Sequence, residues 1–208
     1  MNDNTVVNTR AEYFDRLADK WDGFDDQAAL QLKLTAGLDE LGVLPNELVV
    51  DIGCGTGNLT IALLGRLSQQ GRVCAVDIST RMLEVARGKI SDARVLWHRE
   101  DAVRLSLARG MADRVICCSV WPHFEDKLAV AAELGRVLRG GGILNVWHLT
   151  SRERINKIHS EAGACIIRDV LAPASETARL LESAGFVVVS ATESDTGYLV
   201  TAEKPANQ

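Results

Sequence analysis

The sequence lacks several features that would assign it to other protein classes. Its five cysteines form no Cys-x-x-Cys pair, so neither a zinc site nor a thiol–disulfide motif is indicated. No apolar run reaches the length of a membrane-spanning helix, and the first ten residues lack the apolar core of a signal peptide. The net charge is −5, which gives no general attraction to nucleic acid or to anionic membranes.

The overall composition and the placement of the cysteines are typical of a globular protein in a reducing compartment. It is 47% hydrophobic and 25% charged over 208 residues. Most of the cysteines fall in or beside apolar, strand-like runs, so we expect reduced, packed thiols and a cytoplasmic location. We expect one domain over residues 1–208, with residues 1–45 as a helical lid and residues 46–208 as the core. A homodimer is left open.

Strands and helices alternate along most of the chain. Apolar runs predict strands near residues 49–52, 73–76, 95–98, 114–119 and 143–149, with helical periodicity between them. The alternation predicts an α/β fold: a Rossmann-like, doubly wound, mainly parallel sheet of seven strands with an N-terminal helical lid. Two late strands, at 186–190 and 198–204, have no helix between them and are expected to form an antiparallel C-terminal hairpin. The run Gly140 to Gly142 is expected to end the helix before the fifth strand.

The run Val49–Leu59 reads VVDIGCGTGNL and is the most informative segment. Glycines permit positive φ and close approach of a ligand to the backbone, and the next helix points its free N–H groups at the turn. The pattern predicts a nucleotide-type cofactor site at the carboxyl end of a strand. Its Gly-x-Gly-x-Gly spacing differs from the dinucleotide fingerprint, and the Lys and Ser/Thr of a P-loop are absent. Asp51, just before the turn, would repel a pyrophosphate but accept hydrogen bonds from an ammonium group.

Two more acidic turns follow the second and third strands. Asp77 ends the second strand, where a carboxylate can accept both hydroxyls of a ribose. Asp101 and Ala102 follow the third strand and suit the amine and a ring nitrogen of an adenine. Carboxyl ends of parallel strands meet at one edge of a sheet, so these turns together describe a nucleoside with a cationic tail and no phosphate.

At these residues the sequence resembles the class I S-adenosylmethionine-dependent methyltransferases. The resemblance covers roughly residues 10–145 and includes VVDIGCGTGNL, AVDIS with Met82 after it, the Glu100-Asp101-Ala102 turn and RVLRGGGILNV. The opening helix, from Tyr13 to Asp22, resembles the quinone-biosynthesis-like branch. The resemblance implies methyltransferase activity and S-adenosylmethionine as the cofactor.

The resemblance also implies a set of cofactor contacts. The glycine turn would line the methionine part, an acid would hold the ribose, apolar residues would flank the adenine, and lid aromatics would cover the cofactor. The implied cofactor-binding residues are Tyr13, Trp21, Asp51, Gly53, Cys54, Gly55, Asp77, Ile78, Met82, Asp101, Ala102 and Ser119. For the apolar and aromatic members the alternative is ordinary core or helix packing.

Two histidines follow the strands that would flank the methyl acceptor. His123 comes after the fourth strand and His148 ends the fifth, so both are expected to reach the mouth of the site if these strands are neighbours. Both are candidate catalytic residues, and either one would act as a single general base. His159, on the next helix, could face the same mouth, which leaves a three-histidine metal site as an alternative. The other alternative is that these are hydrogen-bonded loop or surface histidines without a role in the reaction. No metal is assigned. An aromatic wall for the acceptor is predicted from Trp121, Phe124 and Trp147, with core packing as its alternative.

The expected function is methyl transfer to a small-molecule acceptor, without a nucleic-acid or membrane partner. The Asn/Asp-Pro-Pro-Tyr/Phe motif of methyltransferases that act on nucleic-acid amines is replaced by the sequence SVWPHF at residues 119–124. One alternative is a non-catalytic, S-adenosylmethionine-binding regulatory module. A nicotinamide-dependent oxidoreductase is another, which the glycine spacing and Asp51 disfavour.

Overall fold

A computed structural model describes residues 9–162 and 165–206. Its described strands form one seven-stranded sheet in the order β3-β2-β1-β4-β5-β7-β6. The elements are α1 (Thr9–Trp21), α2 (Gln27–Glu40), β1 (Leu48–Ile52), α3 (Asn58–Arg66), β2 (Arg72–Asp77), α4 (Thr80–Lys89), β3 (Val95–Arg99), β4 (Ala112–Cys118), α5 (Lys127–Val137), β5 (Leu138–His148), α6 (Arg152–Glu161), α7 (Ala174–Ser183), β6 (Val187–Ser194) and β7 (Gly197–Glu203). The predicted α/β fold is confirmed.

The first five strands are parallel, and the last two are antiparallel to their neighbours. Strand β1 is flanked by β2 and β4, and four of its five residues are buried. A strand that is covered on both faces has a continuous apolar sequence, so these strands could be predicted from their apolar runs. The C-terminal strands β6 and β7 form the expected antiparallel hairpin.

Helices cover both faces of the sheet. One core cluster contains buried residues of α2, α3 and α4, including Leu34, Leu63 and Leu83. The other contains residues of α5, α6 and α7, including Leu134 and Leu181. In each cluster the buried residues of three helices pack with buried residues of the strands, as a doubly wound fold requires.

The glycine run at residues 140–142 lies inside β5, which corrects the expectation that it ends the preceding helix. Helix α5 already ends at Val137, and β5 begins at Leu138. The Gly141 N–H donates to the Lys204 carbonyl, and the Lys204 N–H donates to the Gly142 carbonyl. A Cβ on Gly142 would lie 2.9 Å from the Arg139 carbonyl oxygen. The run therefore permits a tightly packed start of a strand.

The carboxyl ends of the parallel strands share one edge of the sheet, and α1 packs against α4, the helix that follows β2. Cys54, Cys74 and Cys117 are buried and, like Cys118, are not in disulfides. In the described ranges no helix is both long and apolar enough to cross a membrane. The cytoplasmic location stays a prediction.

Candidate active site

A cavity of about 590 Å³ opens at the carboxyl ends of the strands. Its volume lies in the range of small-molecule sites. Ten of the fourteen candidate cofactor-binding and catalytic residues line it, namely Trp21, Gly53, Gly55, Asp77, Ile78, Met82, Asp101, Ala102, Ser119 and His123. The structure therefore brings the three acidic turns and the glycine turn around one cavity.

The glycine turn needs glycine for two separate reasons. Gly53, Gly55 and Gly57 have φ of 69°, 53° and 87°, a region that residues with a Cβ rarely adopt. A Cβ on Gly53 would also lie 2.3 Å from the Val120 side chain. A Cβ on Gly55 would lie 3.9 Å from the indole nitrogen of Trp21. The turn therefore has no side chains at Gly53 and Gly55, where its backbone lines the cavity.

Asp77 joins the glycine turn to the start of α4. Its Oδ2 accepts the Gly55 N–H at 2.8 Å, and its Oδ1 accepts the Ser79 N–H at 2.8 Å. Burial raises the pKa of this carboxyl, while the backbone hydrogen bonds oppose the rise. A carboxylate oxygen can accept more than one hydrogen bond, so Asp77, which lines the cavity, can accept further hydrogen bonds. The arrangement fits a pair of neighbouring hydroxyls such as those of a ribose.

Three residues expected to touch a cofactor lie behind the cavity wall among the described residues. Asp51 is buried beneath the glycine turn and accepts a hydrogen bond from Thr60 Oγ1 at 2.7 Å. Burial raises its pKa to about 7. Cys54 is buried too, and burial raises the pKa of its thiol. Tyr13 packs edge-on against Phe14, with ring centroids 5.3 Å apart. The side chains of Asp51 and Cys54 are thus buried, Tyr13 packs against its helix neighbour, and contact of these three residues with a cofactor stays a prediction.

Two carboxylates fasten α1 to the loops of the cavity. Asp15 accepts hydrogen bonds from Ser79 Oγ at 2.5 Å and from the Arg81 N–H at 3.0 Å. Asp22 accepts from Thr56 Oγ1 at 2.5 Å and from Lys89 Nζ at 2.6 Å. Burial would raise the pKa of Asp22, but the hydrogen bonds from Lys89 and Thr56 outweigh it and hold the pKa below its usual value. Sequence reasoning missed both acids, because Asp15 lies within α1 and Asp22 directly after it, and neither belongs to a cofactor motif.

His123 also lines the cavity and belongs to a polar cluster. Its Nδ1 is 2.8 Å from Asp169 Oδ2, and Arg10 Nη2 donates to Asp169 Oδ1 at 2.7 Å. The rings of His123 and His159 are 4.8 Å apart, and His159 Nδ1 contacts the Asp169 carbonyl. Burial lowers the pKa of His123, and the bond to Asp169 opposes this. Asp169 was missed because it lies in a segment with no motif.

His148 is buried beside the cavity rather than on its wall. It is 2% exposed, and its ring stands edge-on to Tyr198 with centroids 5.6 Å apart. Its Nε2 has no hydrogen-bond partner among the described residues. The expectation that it reaches the mouth is wrong because the antiparallel pairing of β5 with β7 sets His148 opposite Tyr198. The three histidines do come near one another, but the described residues contain no group able to hold a metal ion.

His148 makes the fold sensitive to acid. Burial lowers its pKa to about 3, below its unfolded value of about 6.5. The folded state therefore binds fewer protons, so this contribution to stability is complete above about pH 6.5 and is lost as pH falls toward 3. We expect wild type to lose up to about 1.4 kcal/mol per pH unit more than His148→Leu between these limits. Urea unfolding at several pH values measures the difference, and parallel curves for the two proteins would contradict it.

The predicted aromatic wall is only partly on the cavity. Phe124 lines it together with Phe14, which the sequence did not single out. Trp121 is 1% exposed and packs edge-on against Phe124. Trp147 lies in the core cluster on the other sheet face, against the helix that carries Gly37. Core packing, the stated alternative, holds for both tryptophans.

Comparison with known proteins gives a consistent result. Residues 49–142 match the family model described as a methyltransferase domain. An uncharacterised methyltransferase of Mycobacterium bovis is 31% identical over 126 residues, which cover 55% of this chain and 62% of that protein. A demethylmenaquinone methyltransferase of Bacillus cereus is 27% identical over 138 residues, which cover 63% of this chain and 58% of that protein. The chain therefore spans about three fifths of the length of these curated relatives.

A solved structure shares the fold over nearly its whole length. It is a SAM-dependent methyltransferase from Aquifex aeolicus, with a TM-score of 0.73 and 22% sequence identity. The alignment covers 89% of this chain and 97% of that one.

Proposed function

We propose that the chain is an S-adenosylmethionine-dependent methyltransferase and that it transfers a methyl group from S-adenosylmethionine to a small-molecule acceptor. The observation that carries the proposal is Asp77, a lining residue of the cavity whose two oxygens accept the backbone N–H groups of Gly55 and Ser79. A hydroxyl pair on that carboxylate places a nucleoside between Met82 and the Asp101 turn. The backbone of Gly53 and Gly55, which has no side chains, then accommodates the methionine part of S-adenosylmethionine.

The cofactor contacts come from the residues that line the cavity. Asp77 accepts the ribose hydroxyls, Ile78 and Met82 flank the adenine, and Asp101 with Ala102 meets its polar edge. The tail lies along the glycine turn and Ser119, and Trp21 covers it. Carboxylates on the lining, including Glu100 and Glu125, favour a ligand with positive charge. Asp51 and Tyr13 act behind this wall by holding the turn and the lid.

When S-adenosylmethionine is bound, it supplies the methyl group as a sulfonium and leaves as S-adenosylhomocysteine. The protein's own work is to align the acceptor and to exclude water. Phe14, Val120, His123 and Phe124 line the same cavity as Ser119, and we assign the acceptor to the part of the cavity that these four residues form. His123 is the one titratable ring there, whereas buried His148 is not assigned a catalytic role.

A small, ring-bearing acceptor suits this part of the cavity. Phe14 and Phe124 give apolar, flat surfaces, and α1 lies across the edge of the sheet that holds the cavity. The Bacillus cereus relative is named for methylation of demethylmenaquinone, which is a further reason to test ring compounds first. We place the protein in the cytoplasm, where its thiols stay reduced.

A screen of methyl acceptors tests the proposed function. The protein is incubated with S-adenosylmethionine and, separately, with phenols, quinols, thiols and amines, and S-adenosylhomocysteine is measured with the methylated product. Turnover of at least one small molecule is expected. Binding of S-adenosylmethionine without turnover of any acceptor would favour the alternative, a non-catalytic regulatory module.

The lid role of α1 predicts an effect at Asp22. Asp22→Ala removes hydrogen bonds to Thr56, Asn58 and Lys89 that tie the end of α1 to the glycine turn. We expect about fivefold weaker binding of S-adenosylmethionine, equal to about 1 kcal/mol. The matched control is Asp25→Ala, an exposed acid three residues later, which should leave binding unchanged. Equal affinities of the two variants, measured by calorimetry, would argue against the lid.

A further inference from the structure

His123 is held in one orientation on the cavity wall. Its Nδ1 faces the Asp169 carboxylate at 2.8 Å, while Nε2 has no hydrogen bond with any described residue. Phe14 lies edge-on to the ring at a centroid distance of 5.1 Å, and His159 lies on another side. A carboxylate on Nδ1 selects the tautomer with the proton on Nδ1. Nε2 is then the basic nitrogen.

Asp169 is itself fixed from several directions. It is 3% exposed, Arg10 donates to both of its oxygens, and its carbonyl contacts His159 Nδ1. Burial would raise the pKa of Asp169, but the bonds from His123 and Arg10 outweigh this and hold the pKa below its usual value. The carboxylate therefore stays ionised beside the imidazole. Arg10 also pairs with Glu125, so one guanidinium joins α1 to two loops at the acceptor part of the cavity.

We propose that His123 is the general base of the reaction, that Asp169 and Arg10 are its positioning residues, and that the acceptor is a ring hydroxyl of the phenol class. This rests on the proposed function, because it assigns the acceptor of the same cavity. An acceptor that is ionised at neutral pH, such as a carboxylate, needs no base. Such an anion would also enter a cavity whose lining has five carboxylates against one guanidinium, that of Arg10. Phe14 and Phe124 suit a flat ring.

The proposed step transfers one proton to His123 and one methyl group to the acceptor oxygen. Nε2 of His123 takes the hydroxyl proton of the acceptor. The electron pair left on oxygen forms the bond to the transferred methyl carbon, and the carbon–sulfur electron pair stays on sulfur. The imidazolium, stabilised by Asp169, then releases the proton to water.

The charged groups around His123 determine its response to pH. Asp169 and Arg10 face it, His159 packs against it, and Lys127 and buried His148 lie farther out. Burial is the largest influence and lowers the pKa of His123, so the neutral base is present at pH 7. We expect kcat to fall in acid as this imidazole becomes protonated.

Two variants and one spectroscopic measurement test the proposal. His123→Gln should lower kcat for a phenol by about 10²- to 10⁴-fold and leave the Kd for S-adenosylmethionine within about twofold. For a nitrophenol that is ionised at the assay pH the loss should be about tenfold at most, because no base is needed. Asp169→Asn should shift the acid limb of the phenol profile to lower pH. The same variant should lower the pKa of His123 in an NMR titration, which needs no turnover.

Asn156→Ala is the matched control for loosening of the loop that carries Asp169. Asn156 bonds to both the N–H and the carbonyl of Leu171 in that loop. The control should leave the ratio of phenol to nitrophenol turnover, and the pKa of His123, unchanged.

The outcomes separate this proposal from the proposed function. Absence of S-adenosylmethionine binding overturns both. If the cofactor binds, equal losses for phenol and nitrophenol in His123→Gln overturn the base, as does an unchanged pKa of His123 in Asp169→Asn. If thiols or amines are methylated but no ring hydroxyl is, the acceptor class is wrong while the methyltransferase function stands. A panel with no methylated ring hydroxyl overturns the acceptor class in every case.

Discussion

Asp77→Ala is expected to weaken the binding of S-adenosylmethionine by about 30-fold or more. The carboxylate has one backbone N–H on each oxygen, and Asp77 lines the cavity. Its removal deletes the acceptor for two ribose hydroxyls, and a hydrogen bond to a charged group contributes roughly 1.5–3 kcal/mol. A loss of about 2 kcal/mol is about 30-fold in Kd. Calorimetric titration of the variant measures the change.

The matched control for Asp77→Ala is Asp113→Ala. Asp113 also accepts a backbone N–H at 2.8 Å, from Leu48, but at the amino ends of the strands. It also pairs with Arg139. Its loss should lower stability and leave the Kd for the cofactor within about twofold. If both variants bind the cofactor as tightly as wild type, Asp77 does not hold the ribose.

Gly53→Ala should destabilise the protein and impair cofactor binding together. The new Cβ would lie 2.3 Å from Val120, at a residue with φ of 69°. Overpacking of this kind costs about 1–3 kcal/mol, and the left-handed backbone adds about 1 kcal/mol. Because Val120 lines the cavity, its displacement should also weaken cofactor binding at least tenfold. Urea unfolding and calorimetry measure the two effects.

Gly42→Ala separates backbone strain from the steric clash. Gly42 has φ of 66°, and no described atom lies within 4 Å of the Cβ position. It should lose only the strain contribution, about 1 kcal/mol, and keep normal affinity. Adding Val120→Gly to Gly53→Ala should recover part of the lost stability. Equal losses in Gly53→Ala and Gly42→Ala would show that Val120 is not the obstacle.

The parts of the fold and the site that are local in sequence were predictable. The strand, the glycine turn and the start of α3 follow one another within Val49–Leu59. Asp77 and Asp101 could be placed at one edge because parallel strands align their carboxyl ends. The turn chemistry and the strand order together identified the cavity wall.

The remaining part depends on contacts between distant segments. Asp169 reaches His123 across 46 positions of sequence, and Arg10 reaches Asp169 across 159. The helix and strand periodicity of a sequence does not indicate pairs of residues so far apart in the chain. His148 appeared to be at the mouth because it ends a strand, but pairing with β7 buries it against Tyr198. The burial of Asp51 depends on a related contact, since Thr60 of α3 donates to it beneath the turn.

Calorimetric titration of the wild-type protein tests the central claim most directly. S-adenosylmethionine and S-adenosylhomocysteine are titrated separately, with a nicotinamide dinucleotide as the comparison. Saturable binding of both nucleosides at one site per chain, with no binding of the dinucleotide, is the expected result. Absence of binding by either nucleoside, or tight binding of the dinucleotide alone, would contradict the account of this cavity as a methyltransferase cofactor site.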